Sequence, residues 1–260
     1  MTQKILDIFQ RIALPVGFEN ISKSRKVLEM TDVLNELGFS AVYEENIGLI
    51  VNKQKNPRIV LVSHLDLVRP FKSGFARGET FVVHEKGLDG QAIVQGALDN
   101  TLTNAVALKA IEELKNTAVE DVEVLFSIGE ETGLTGMRSY LNKYPEKSMT
   151  TFFLNLDVTN DNWDKAISVE FDRPVQDISD QTTSILKGLS FRLQNTRFTD
   201  DTSAVNSFGA CGYSYCIPTD NYCHSYDSFA MLDSIEPYYK GLVRLLSELK
   251  MLKVQGFLDL

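Results

Sequence analysis

Ile59-Val60-Leu61-Val62 is an unbroken run of branched apolar residues that ends in Ser63-His64-Leu65-Asp66. A strand wetted on one face alternates polar and apolar side chains. A run without alternation fits a strand buried on both faces, as in a parallel sheet with helices on either side. Leu49–Asn52, Val122–Ile128 and Phe152–Leu156 read as further strands, with shorter ones at 166–171, 189–193 and 213–217. Helical periodicity lies between them. Residues 3–13 carry a stripe of Ile5, Ile8, Phe9 and Ile12, and a second helix is expected after Asn20 and Ser22, ending near Gly38. Thr101 to Lys115 carries Ala105, Leu108, Ile111 and Leu114 at threefold spacing. Gly136–Tyr144 and a long amphipathic stretch from Leu232 to Leu252 complete the set. Residues 72–96 are rich in glycine, and Phe81-Val82-Val83 and Ala92-Ile93-Val94 flank a Lys86–Gly90 turn, which predicts a hairpin. Strands alternating with helices predict an α/β fold, three layers deep (αβα), with a mixed, largely parallel sheet. No linker or shift in composition divides the chain, so residues 1–260 are expected to form a single domain.

Charge narrows the partners. The formal net charge is -9, and so acidic a surface repels phosphate backbones and anionic membranes. Neither nucleic acid nor a membrane is expected as a partner. Three cysteines, Cys211, Cys216 and Cys223, in no CxxC pattern argue against a disulfide framework and for a reducing compartment. Met1 to Gln10 lacks the basic and apolar blocks of a signal peptide, and no apolar run approaches the roughly 20 residues of a membrane helix. A cytoplasmic location is the expectation.

The polar residues that follow the strands carry the chemistry. His64 and Asp66 follow the first buried run, and Gly129-Glu130-Glu131 follows Val122–Ile128. Asp157 follows Phe152–Leu156, Gly96-Ala97-Leu98-Asp99-Asn100 precedes the 101–115 helix, and Tyr222-Cys223-His224-Ser225 lies near the C-terminus. Ligands of open α/β sheets bind outside the carboxyl ends of the strands, so these segments are expected to share one rim. Imidazole and carboxylate are ligands suited to zinc and its divalent neighbours. Two histidines and three carboxylates suffice for two metals if one carboxylate bridges. Paired metals can hold a hydroxide between them and polarise a carbonyl. Of the three histidines, only His84, in the expected hairpin, falls outside these segments.

The same segments resemble, in order, the motifs of the dinuclear-zinc exopeptidases, a superfamily of aminopeptidases, tripeptidases, acylamino-acid deacylases and carboxypeptidases. His64-Leu65-Asp66 resembles the first motif, Gly96-Ala97-Leu98-Asp99-Asn100 the bridging-aspartate motif and Gly129-Glu130-Glu131-Thr132-Gly133-Leu134 the catalytic-glutamate motif. Leu156-Asp157-Val158-Thr159, Thr199-Asp200-Asp201 and the Ile217-Pro218 to Ser225 segment resemble the later motifs, closest to the glutamyl-aminopeptidase-like branch. The resemblance implies two divalent metals, zinc with cobalt or manganese as alternatives. His64 and Asp157 would hold one, Glu131 and His224 the other, and Asp99 would bridge. It further implies Glu130 as general base and Asp66 as the group behind His64 that fixes its tautomer. Two departures stand out. The gaps of 99 − 64 = 35 and 224 − 157 = 67 residues leave little room for the inserted second domain of many relatives, and Ser228 stands where many carry a glutamate.

The reaction implied is hydrolysis of a peptide or amide bond, with a short peptide as substrate of an aminopeptidase. An N-acyl amino acid, cleaved by a deacylase or carboxypeptidase-type amidohydrolase, is the alternative, since His64-Leu65-Asp66-Leu67-Val68 looks more like the deacylase and tripeptidase branch. A binding protein on the same fold is expected to have lost ligands, and this chain keeps them all. A thiol hydrolase using Cys223 with His224 is disfavoured, because adjacent residues of an extended chain point to opposite faces. Many relatives assemble, so a homo-oligomer is compatible with the resemblance.

Overall fold

The structure is a computed structural model. It describes residues 1–14, 24–67, 81–84, 90–115, 121–160, 166–172, 176–195, 199–220, 223–225 and 227–249. An eight-stranded sheet forms its centre. In spatial order the strands are β1 (Ala41–Glu44), β2 (Gly48–Val51), β6 (Val122–Ser127), β3 (Ile59–His64), β7 (Phe152–Thr159), β10 (Cys211–Pro218), β8 (Ile167–Phe171) and β9 (Phe191–Asn195). The four central strands, β6, β3, β7 and β10, run parallel to their neighbours within that group. The joins β1–β2, β2–β6 and β10–β8 are antiparallel, so the sheet is mixed and parallel where it matters for the site.

The unbroken apolar runs alternate by face. Ile59, Leu61, Val124, Phe126, Leu154 and Leu156 pack into one core with helices α1 (Thr2–Ile12), α2 (Arg25–Glu36), α3 (Thr101–Leu114) and α8 (Leu232–Glu248). Val60, Val62, Leu125 and Phe153 pack into a second core with α4 (Thr135–Lys143) and α7 (Asp201–Ser207). This is the three-layer arrangement expected from sequence, because every central strand needs an apolar partner on each side. Helix α3 is buried on nearly all faces, as its high apolar content requires. Two further helices are α5 (Pro145–Thr150) and α6 (Gln176–Ile185).

The predicted hairpin exists as β4 (Phe81–His84) against β5 (Ile93–Gly96), antiparallel, although most of the Lys86–Gly90 turn and the glycines at 74, 78 and 87 lie outside the described residues. A strand not expected from sequence, β11 (Phe229–Met231), pairs with β5 to make a separate three-stranded sheet. Helix α2 begins at Arg25, capped by Ser24, whose side chain accepts from the Val27 N–H. Among the described residues no helix is long and apolar enough to cross a membrane.

The second core encloses a buried ion pair at the end of the sheet away from the rim. Lys147 Nζ lies 2.7 and 2.8 Å from the two carboxylate oxygens of Glu123, and Tyr140 donates its hydroxyl to the same carboxylate. Removing one member strands the other in a low-dielectric interior. Lys147→Met is expected to lower unfolding free energy by about 3–5 kcal/mol. Urea denaturation measures this; a loss under about 1 kcal/mol would mean that Glu123 is solvated or protonated instead.

Candidate metal centre

The rim at the carboxyl ends of the parallel strands collects six acidic and imidazole groups. His64 is the last residue of β3 and Asp157 lies near the end of β7. Glu130 and Glu131 sit in the turn after β6. That turn begins at Gly129, whose φ is +67° and whose missing Cβ would fall 2.0 Å from Thr135 Oγ1, so a side chain is excluded on both counts. Asp99 and His224 come from outside the main sheet, and the small sheet brings them in. Asp99 follows β5 and His224 precedes β11, and the Gly96 N–H donates to the Ser228 carbonyl at 2.9 Å.

Asp99 stands at the middle of the cluster. Its Oδ1 is 3.0 Å from His64 Nε2 and its Oδ2 is 3.2 Å from His224 Nε2. Glu131 Oε2 is 3.5 Å from His224 Nε2, while Glu130 Oε2 is 4.0 Å from His64 Nε2. Three sets of ligating atoms each fall within 4.8 Å of one another: His64, Asp99 and Asp157; His64, Glu130 and Glu131; and Asp99, Cys223 and His224. Neighbouring hydrogen bonds hold these groups. Asn100, joined to Asp99 by a cis peptide bond, donates its side-chain amide to the Leu156 carbonyl at 2.7 Å, beside Asp157. Asn104 donates to the His64 carbonyl at 3.0 Å.

Asp66 lies behind His64, but it acts with two different groups. Its backbone carbonyl is 3.0 Å from His64 Nδ1, which directs Nε2 into the site. Its carboxylate, 3.7 Å from Nδ1, accepts the backbone N–H groups of Glu130 at 3.3 Å and Glu131 at 3.2 Å. One buried aspartate thereby joins the histidine strand to the glutamate turn.

Glu130 and Glu131 occupy a turn, and their carboxylates fall in one cluster with His64. One geometric expectation needs correction. Residues 223–225 also form a turn, and Cys223 Sγ lies with the His224 ring at the rim, where Asn160 Nδ2 donates to it at 3.5 Å. The opposite-faces objection to a Cys223–His224 pair therefore does not hold. Tyr222 lies outside the described residues, as does the side chain of His84, whose backbone is part of β4.

The electrostatics favour added positive charge. Burial first, then Asp201, Glu131 and Asp99, raise the Glu130 carboxyl against the pull of His64, to about 9 in all. Burial and Asp99 raise Glu131 to about 7. Asp157 is driven well above the usual range by burial and by Asp99. Burial pushes Asp99 up, but the hydrogen bonds and charges of His224 and His64 together hold it low. The hydrogen bond to Asp99, followed by that to Cys223, raises the His224 imidazolium to about 12. Glu131 Oε1 is buried with no hydrogen-bond partner. Crowded carboxylates, two imidazoles and an orphaned buried oxygen form a donor set that fits divalent cations.

Sequence reasoning gave several residues here no role or did not mark them at all. Asp200, quoted within a motif, caps α7 by accepting from the Ser203 N–H at 3.2 Å, and Asp201 accepts from Ser127 behind the glutamate turn. Glu170 and Gln194, from β8 and β9, line the same cavity of about 420 Å³. No motif marks them, because cavity walls are assembled from distant strands.

Residues 46–233 match the sequence profile described as Peptidase family M28. A fission yeast (Schizosaccharomyces pombe) Peptidase M20 domain-containing protein is 26% identical over 117 residues, 44% of this chain and 26% of that protein's length. The matched segment thus spans about a quarter of that relative. Among solved structures, the TET aminopeptidase of the marine archaeon Thaumarchaeota archaeon SCGC AB-539-E09 superimposes with a TM-score of 0.73 at 15% identity, covering 98% of this chain and 99% of that one. The TET1 peptidase of Pyrococcus horikoshii, which assembles into a tetrahedron or a large octahedral shell, gives 0.72 at 16% identity, covering 95% and 100%. At such identities these two structures establish the fold.

Proposed function

The chain belongs to peptidase family M28, and on that premise we propose that residues 1–260 act as one catalytic domain removing the N-terminal residue from short peptides. Two divalent ions would be held at the rim, one by His64 and Asp157, the other by Glu131 and His224, with Asp99 between them. The observation that carries this reading is the position of Asp99, whose two oxygens face two different histidines at 3.0 and 3.2 Å. A single metal would leave one of those histidines without a role. Zinc is the expected occupant, with cobalt or manganese as substitutes, because imidazole and carboxylate donors accept all three.

When bound, such ions supply Lewis acidity and make water a nucleophile at neutral pH. The remaining work falls to side chains. Glu130 would take a proton from the attacking water and pass it to the leaving nitrogen. Asp66 orients both halves of the site at once, holding His64 through its carbonyl and the glutamate turn through its carboxylate. The acidic cavity suits a substrate that arrives with a free, positively charged amine.

N-acyl amino acid hydrolysis is the second reading, favoured by the first motif alone. A matched pair of substrates separates the two. A peptide with a free N-terminus is expected to be cleaved at least about 10²-fold faster than its N-acetyl form, since loss of a recognised polar group is heavily penalised. Faster cleavage of the N-acyl compound would reverse the assignment. A cytoplasmic setting fits three unpaired cysteines. By analogy with the assembling archaeal peptidase, the reading extends to a homo-oligomer.

A further inference from the structure

Lys26 on α2 is fully buried, 0% exposed. A buried ammonium is costly unless acceptors and opposite charge meet it. Its Nζ donates to the Leu65 carbonyl at 2.9 Å and to Thr101 Oγ1 at 2.9 Å. Leu65 lies between His64 and Asp66, and Thr101 opens α3 two residues after Asp99. Burial lowers the Lys26 pKa to about 7, against the pull of Asp66 and Asp99.

We propose that Lys26 is a positioning residue for the metal centre, tying the end of β3 to the first turn of α3 and so fixing how His64 and Asp99 face each other. The inference rests on the metal-binding reading given above. Its geometry is a three-way joint. Asn104 of α3 also donates to the His64 carbonyl, and Ser63 and Thr103 lie 3.1 Å apart between their hydroxyls. Lys26 adds the only contact in this set that comes from outside β3 and α3. With Asp66 in turn holding the N–H groups of Glu130 and Glu131, one lysine supports three of the segments that carry the cluster.

Positioning and simple electrostatics predict opposite outcomes. A positive charge near two cations repels them, so removing it without disturbing geometry would tighten metal binding. Removing a positioning contact weakens it, typically by about 10–100-fold for groups behind the ligands. Co²⁺ titration of wild type and Lys26→Met, followed by calorimetry and by the visible absorption of bound Co²⁺, decides between them. The expected result is about 10–100-fold weaker Co²⁺ binding with an altered absorption band. Equal or tighter binding with an unchanged band would overturn the proposal. If Lys26→Met does not fold, Thr101→Val removes one acceptor and keeps the charge. It is expected to weaken binding by a smaller factor and shift the band, and an unchanged titration would overturn the proposal equally. The wild-type control separates the layers: failure of wild type to bind Co²⁺ would sink the metal reading itself, whereas normal wild-type binding matched by Lys26→Met sinks only the role of Lys26.

Discussion

Glu130→Gln is expected to lower kcat by about 10²–10⁴-fold, the usual contribution of a positioned general acid–base group. The substitution keeps size and shape and removes the basic oxygen. The Glu130 backbone N–H still reaches Asp66, so the turn keeps its anchor. Metal content and KM are therefore expected to stay near wild-type values. Glu131→Gln should behave differently. Its carboxylate faces His224 at 3.5 Å and carries the orphaned oxygen, so its loss should lower metal affinity, with excess metal restoring part of the rate. Steady-state kinetics with and without added metal, beside metal analysis, read both variants. Rescue of Glu130→Gln by metal, with Glu131→Gln fully loaded but inactive, would exchange the two roles. Full activity in both would place the reaction elsewhere.

Asp99→Ala is expected to be more damaging to metal binding than any other single change. On the proposed reading it is the one side chain shared by both ions. Its loss should therefore exceed the 10–100-fold typical of residues behind the ligands and abolish occupancy of both positions at micromolar metal. His224→Ala, by contrast, should weaken chiefly one position, because His64, Asp157 and Asp99 remain grouped. Metal analysis after equilibrium dialysis distinguishes the pair. Two ions retained by Asp99→Ala would remove the bridge from the account.

Much of this architecture can be read from the residues. The buried runs at 59–62, 122–128 and 152–156 became β3, β6 and β7, since a sheet covered by helices on both sides accommodates strands with two apolar faces. The site segments are legible for a related reason: chemistry-bearing residues were placed directly after such runs. Other elements were not visible. Strand β11 is three residues long, Phe229-Ala230-Met231, too short for any period, yet it aligns the His224 loop with the Asp99 loop. Helix α7 starts at a motif read for its aspartates, and its capping by Asp200 depends on a backbone that the motif does not announce. Lys26 sits in an ordinary-looking Arg25-Lys26 pair, and nothing in the local pattern separates the exposed residue from the buried one. Such positions are set by tertiary packing, which local periodicity does not encode.

Anomalous diffraction from zinc-loaded crystals is the sharpest check on the two-ion site. Two peaks per chain are expected, about 3.5–4 Å apart. One Asp99 oxygen should face each, with His64 and Asp157 at the first and Glu131 and His224 at the second. One peak, no peak, or a pair not spanned by Asp99 would contradict the two-ion site.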